Sequence, residues 1–242
     1  MAPLLSIVIP AHNEEARLPI TLPRVLAHMD SRDYETELVI VDSGSDDRTG
    51  EIAADYAQSR PDVRWFRVDL PGKGLAVRTG MLASQGEYRF ICDADLSMPI
   101  EQVDRFLPPQ LDGPDIAIAS REAPGAVRYG EPFYRHLIGR GFNTLVRALA
   151  IPRLQDTQCG FKCFRGEVAE NVFRRQCLEG WTFDVEVLYI ALGLGYQVVE
   201  VPIPWYYNAG SRVHVFNDSV AMFLDLFRIR LYDWRGDYRL ER

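Results

Sequence analysis

Five short apolar runs recur through the first half of the chain, each closed by turn-forming or acidic residues. They are "LLSIVIP" (4–10), "ELVIVD" (37–42), "VRWFRV" (63–68), "YRFICD" (88–93) and "DIAIAS" (115–120). Segments with apolar positions at helical spacing separate them, roughly 16–29, 48–59, 73–84 and 100–107. The runs are too continuously apolar for a sheet wet on one side. Alternating with helices, they predict an α/β fold: a mainly parallel, twisted sheet with helices on both faces. Such sheets bind ligands beyond the carboxyl ends of their strands. Three of those ends carry polar residues, in "PAHNEE", "DSGSDD" and "DADLS", and together they describe one site.

Past Ser120 the pattern changes. Over 132–150, Phe133, Leu137, Ile138, Phe142, Leu145, Val146 and Leu149 form one stripe at helical spacing, interrupted by Gly139 and Gly141. Further helices are expected over 184–194 and 217–234, and a strand over 196–201. No repeat, low-complexity tract or linker divides 1–242, which predicts a single domain.

Composition adds limits. With 47% hydrophobic and 25% charged residues the chain is an ordinary globular protein. A net charge of −7 argues against a nucleic-acid partner. That charge is uneven: residues 121–153 hold six arginines and two glutamates, a local +4 in an acidic chain. Four cysteines (92, 159, 163, 177) in apolar or helical contexts read as buried free thiols of a reducing compartment, not a disulfide framework or zinc site. "MAPLLSIVIP" lacks a basic leader region, and no apolar stretch approaches the ~20 residues of a membrane span. The expected location is cytoplasmic or on a cytoplasmic surface.

Asp93 and Asp95 sit where the fourth strand ends. Adjacent carboxylates repel, so a D-x-D here calls for a cation, and Mg²⁺ or Mn²⁺ takes a few carboxylates together with substrate phosphates. An isolated D-x-D is more often a solvated turn; its place in a row of strand-end acids shifts the balance. Asp42 ends "LVIVD" and can accept a base or ribose hydrogen bond, while Asp46 or Asp47 better suits a helix cap. Asn13, Glu14 and Glu15 read as part of the site or as a helix start. "PGKGLAVRTG" (71–80) is a Gly-rich entry to a helix, open to a phosphate, but Val77 breaks the dinucleotide fingerprint.

Taken in order, "SIVIPAHNEE", "VIVDSGSDDRT", "GKGLAVRTGM" and "ICDADLS" resemble the family 2 glycosyltransferases of the GT-A fold. In the second half, "ASRE", "RLQDTQCGFKCF", "GWTFDVEVLYIA" and "PWYYNAGSRV" resemble the dolichyl-phosphate β-glucosyltransferases and, more loosely, the corresponding mannosyltransferases. The resemblance implies a nucleotide-sugar half (1–120) and an acceptor half (121–242). It implies that Pro10, Ala11, Asn13, Glu14, Asp42, Lys73 and Asp93 hold the nucleotide sugar, and that Asp93 and Asp95 hold Mg²⁺ or Mn²⁺. Arg121, Arg135 and Arg212 are implied to bind the acceptor phosphate. The implied catalytic set is Asp95, Arg121, Arg135 and Asp184. The chain departs from the mannosyltransferase pattern at Ser97 and Gly139.

The activity so implied is inverting transfer of a hexose, glucose from UDP-glucose, to a polyprenyl phosphate at the cytoplasmic face of a membrane. The partners implied are a nucleotide sugar and a polyprenyl phosphate, with a homo-oligomer left open. A phosphate monoester is largely dianionic near neutrality and needs no general base. Asp184 and Glu186 are therefore expected to orient Arg135 or to cap the following helix. The stripe over 132–150 is then an amphipathic interface helix; without the resemblance it reads better as core-facing with a solvated basic face. Other readings stay open: a GDP-mannose-dependent transferase, transfer to a hydroxyl with Asp184 or Glu186 as base, a sugar-phosphate nucleotidyltransferase, and a non-catalytic binding module.

Overall fold

A computed structural model of the chain describes residues 2–208 and 215–239. Arg212 lies outside the described residues, as does the side chain of Arg135. The first half alternates as its pattern predicts: β1 (Leu5–Ala11), α1 (Leu18–Asp30), β2 (Thr36–Ser43), α2 (Thr49–Ser59), β3 (Val63–Val68), α3 (Lys73–Ala83), β4 (Tyr88–Ile91) and β5 (Ile116–Ser120). Residues Ile100–Phe106, read as an α-helix, form a 3₁₀ helix instead. Its buried residues, Ile100, Val103 and Phe106, fall three apart, the period of that tighter helix.

The second half adds β6 (Val127–Tyr129), α4 (Phe133–Leu149), β7 (Lys162–Arg165), α5 (Gly166–Phe173), α6 (Phe183–Gly193), β8 (Val198–Pro202), β9 (Pro204–Tyr206) and α7 (Val215–Arg235). Of these, β6, β7, α5 and β9 have no counterpart in the pattern reading. Each is short, and β7 begins and ends on a basic residue.

Seven strands make one sheet in the order β3-β2-β1-β4-β7-β5-β8. β1 runs parallel to β2 and β4, β2 to β3, and β5 to β8. Only β7 is reversed, antiparallel to both β4 and β5. Period-two alternation then sorts the side chains. Leu5, Ile7 and Ile9 pack with Leu18, Leu22 and Val25 of α1 on one face. On the other face, Val8, Val39 and Val41 pack against α3, α5 and α6. α6 is buried nearly all round, as its apolar sequence requires. Phe90 anchors the first face, meeting Phe106 and Phe161 edge to face at 5.3 and 5.2 Å.

α4 corrects the core-facing reading of its stripe. Phe133 is 78% exposed and Leu137 60%, and Ile138 and Leu145 are exposed too; only Val146 of the stripe is fully buried. α4 packs beside α7, where Leu224, Phe227 and Trp234 are exposed as well. No helix among the described residues is long and apolar enough to cross a membrane. Cys92, Cys159 and Cys163 are buried free thiols, whereas Cys177 is exposed.

Removing the Phe90 ring should leave a cavity between two other aromatics. We expect Phe90→Ala to lower unfolding free energy by about 3–5 kcal/mol, read from the shift in urea midpoint at unchanged slope.

Candidate functional site

Strand order reverses at β1, whose sheet neighbours are β2 and β4, although five elements separate β1 from β4 in sequence. The crevice beyond their carboxyl ends is where an open α/β sheet receives ligands. A cleft of ≈ 800 Å³ opens there. Pro10, Ala11, Glu14, Lys73, Asp93 and Asp95 line it, and so do Arg121, Asp184 and the α4 residues Ile138, Gly139 and Phe142.

The turn after β4 is held from several sides. Thr21 on α1 donates its hydroxyl hydrogen bond to the Ala94 carbonyl at 2.5 Å. The Ser97 N–H donates to Asp95 Oδ1 at 2.9 Å. Leu96, between them, takes a left-handed φ of 45°, an uncommon conformation for a branched side chain and one that clusters at functional turns. Asp93 has even less latitude. A Cβ at position 160 would lie 1.7 Å from Asp93 Oδ2, so only glycine allows the carboxylate to rest against that backbone.

The other oxygen, Asp93 Oδ1, pairs with Lys73 Nζ at 2.7 Å. Lys73 opens α3 and also lies over the Trp181 ring, 5.4 Å from its centroid. Burial alone would lower its pKa; Asp93, then Asp184 and Asp95, outweigh that and hold the ammonium above the usual lysine range. Asp184 is fixed in turn by Lys162, a lysine of β7 with no exposed side-chain surface, at 2.5 Å. Lys162 also donates to the Cys159 carbonyl at 2.5 Å. Burial raises the Asp184 pKa, and the two lysines only partly offset it. Asp184 thus orients Lys162, in keeping with a positioning role. Glu186 accepts the N–H groups of Cys177 and Leu178 and the Tyr238 hydroxyl, and serves the scaffold.

Among the described residues no group of three or more His, Cys, Asp or Glu side chains comes together as a metal cage. The donors at the strand end are two carboxylates one residue apart, both open to the cleft. That set fits Mg²⁺ or Mn²⁺, which keep oxygen ligands from water and substrate phosphates, and it does not fit a soft or structural metal.

Two expected nucleotide ligands do not line the cleft. Asp42 is fully buried, its carboxylate accepting from Arg67 at 3.0 Å and from the Ser45 N–H at 3.2 Å. Asn13, at a positive φ of 53°, receives the Asp46 N–H on its side-chain oxygen and donates its own N–H to Ser45, tying the β1 and β2 loops together. Asp47 accepts from the N–H and hydroxyl of Thr49 at the start of α2, the capping role foreseen for it. The Gly-rich entry to α3 lines the cleft and has a packing reason of its own. A Cβ on Gly74 would meet the Leu178 carbonyl at 2.7 Å, and the Leu75 N–H already donates to Glu179.

Across the cleft Arg121 is half-buried and engaged. Asp156 accepts its Nε at 2.7 Å, its Nη2 at 2.9 Å and its backbone N–H at 2.9 Å, a bidentate fork. Arg128 pairs with Glu122 at 2.5 Å and Glu131 at 2.6 Å. Both guanidiniums approach the Trp205 ring. Asp156 offsets one further arginine, since Glu122 and Glu131 are already counted in the local +4, and Arg140, Arg147 and Arg153 are exposed. Arg135 lies in the first turn of α4.

Sequence reasoning missed Asp156, Gly160, Lys162, Trp181 and Trp205. Three of the five stand inside "DTQCGFK", and a lysine within an apolar strand is itself a signal of a buried pair.

Comparison with known proteins fits this architecture. The family model for glycosyl transferase family 2 matches residues 6–173. The chain belongs to that family and is a glycosyltransferase with the GT-A fold. Within it, the chain is similar to dolichyl-phosphate beta-glucosyltransferases. It is 34% identical to that of Homo sapiens, over 98% of this chain and 78% of the relative. To that of Saccharomyces cerevisiae it is 32% identical, over 97% and 76%. The fold matches glucosyl-3-phosphoglycerate synthase from Mycobacterium tuberculosis in its complex with Mn²⁺ and UDP-glucose, with TM-score 0.64 and 19% identity over 95% of this chain and 78% of the other.

The Arg121–Asp156 pair should show in acid. Burial opposes the Asp156 carboxylate, but Arg121 prevails and holds its pKa down to about 2. A folded pKa below the unfolded one contributes stability that is complete above about pH 4 and is lost as pH falls towards 2. We expect this increment to be on the order of 2 kcal/mol. Urea midpoints between pH 5 and 2 should fall more steeply for wild type than for Asp156→Asn.

Proposed function

We propose that the protein transfers glucose from UDP-glucose, with inversion, to the phosphate of a polyprenyl phosphate at a membrane surface. One observation carries this reading. A single cleft is lined both by the strand-end acids Asp93 and Asp95 and by the otherwise exposed apolar helix α4. A nucleotide sugar suits the first wall, an amphiphile the second. The similarity to dolichyl-phosphate beta-glucosyltransferases supports the choice of lipid and sugar, and a matching fold solved with UDP-glucose supports the donor.

Asp93 and Asp95 would hold the divalent cation, whose contribution when bound is to neutralise charge on the departing diphosphate. Pro10, Ala11, Glu14 and Lys73 stand along the same wall to hold the donor. Asp156 occupies two nitrogens of Arg121 and leaves Nη1 for an acceptor phosphate, joined in this proposal by Arg135 and Arg212. The dianionic acceptor attacks the anomeric carbon without a base. Transfer to a hydroxyl would need a free base, and Asp184 is committed to Lys162. The exposed residues of α4, with Arg140 and Arg147 beside them, would seat the protein peripherally on anionic head groups. Four free thiols support the cytoplasmic face.

The test is UDP-glucose incubated with a short-chain polyprenyl phosphate and Mn²⁺. We expect a glucosyl lipid, none from the unphosphorylated prenol, and little from GDP-mannose; equal labelling of the prenol would defeat the phosphate-acceptor reading. Asp95→Ala should abolish Mn²⁺-dependent UDP binding by calorimetry while keeping the wild-type circular dichroism. For the membrane role, Leu137→Asp with Phe133→Asp should cut sedimentation with anionic vesicles at least tenfold, about the effect of unburying two large side chains. Unchanged sedimentation would remove α4 as the docking face.

A further inference from the structure

We propose that Lys73 is the built-in counter-ion of Asp93, holding the metal position closed until a nucleotide sugar draws the lysine away. The inference rests on the metal reading of Asp93 and Asp95 given above. Its basis is that Asp93 is held from two sides, by an ion pair on one oxygen and by close backbone approach on the other. Oδ1 is 2.7 Å from Lys73 Nζ, and Oδ2 rests against Gly160, where even a methyl group would collide at 1.7 Å. The carboxylate cannot swing away from the lysine on that side. A divalent ion that reaches Asp93 therefore meets a fixed positive charge at ion-pair range, and like charges at that distance in a partly buried site repel strongly.

Lys73 has somewhere to go. Asp184 lines the same cleft, and Lys162 holds its carboxylate in place at 2.5 Å. The ammonium already lies 5.4 Å from the centroid of Trp181, whose face favours a cation. A donor diphosphate entering between Asp93 and Lys73 offers the ammonium a better partner than one carboxylate oxygen. The cation and the nucleotide then bind cooperatively, because each removes the obstacle to the other. In the empty enzyme the same ammonium relieves the repulsion between Asp93 and Asp95.

The experiment titrates Mn²⁺ alone into the full-length protein and follows free Mn²⁺ by electron paramagnetic resonance, with no nucleotide present. Lys73→Gln and Lys73→Met should bind Mn²⁺ about tenfold or more tightly than wild type, a coupling of ordinary size. Lys73→Arg, which keeps the charge, should stay as weak as wild type. The gain should vanish when Asp95→Ala is added to Lys73→Gln. Circular dichroism and thermal midpoints confirm that each variant is folded, and either neutral variant suffices. Nucleotide-free Mn²⁺ affinity that is unchanged in Lys73→Gln overturns the proposal. So does a gain that survives Asp95→Ala. Because no donor or acceptor is present, the proposal can fail while glucose transfer stands, and the reverse.

Discussion

An ammonium with no access to water requires a carboxylate, and Lys162 sets that requirement at the centre of the second half of the sheet. Asp184 answers it at 2.5 Å. From that pair charges alternate outwards, to Lys73 and then to Asp93 at the cleft wall. Removing one member would leave its neighbour buried and uncompensated, which is far costlier than never having had the pair. The chain of charges links the core of the sheet to the strand end where chemistry is expected. It also ties elements distant in sequence: β7 and α6 from the second half meet α3 and the turn after β4 from the first.

Half of this architecture was legible from the residues. Apolar runs of six or seven residues closed by turn-forming or acidic residues announced β1 to β5, because burial on both faces of a parallel sheet forces such runs. In the second half α4, α6, β8 and α7 were expected, but the short elements resisted the same reading. β7 is only "KCFR", four residues whose ends are charged, and its identity depends on partners at Tyr88–Ile91 and Ile116–Ile118 that periodicity cannot supply. The 3₁₀ helix shows the same limit, since three buried residues spaced by three look like one turn of α-helix.

The site divides in a similar way. Asp93, Asp95, Glu14 and Lys73 were readable because strand-end position and motif order place them, and all four line the cleft. Asp42 and Asn13 belong to the same motifs, yet internal bonds occupy them, and composition carries no trace of a bond to Arg67 or Ser45. The basic surplus of 121–153 was real as a count, and its surface share lies on Arg140, Arg147 and Arg153 rather than on Arg121 or Arg128. Asp156, which neutralises Arg121, lies just beyond that window, and the two glutamates inside it are both spent on Arg128. Sequence counts charge; only the fold says which charges face each other.

The reversed strand β7 has one more consequence, for how the polypeptide can be divided. Ile91 pairs with Lys162 on one side of it, and Ile118 pairs with the same residue on the other. A chain cut after residue 120 would carry β4 and β5 without the strand that joins them. Each would present a bare ladder of N–H and C=O groups, the template on which edge strands aggregate. The fragment beginning at 121 would hold β7 with neither neighbour. Residues 1–120 and 121–242 thus cannot be exchanged as modules between relatives or produced as separate pieces. Recombination that respects this sheet must carry 88–91, 116–120 and 162–165 together.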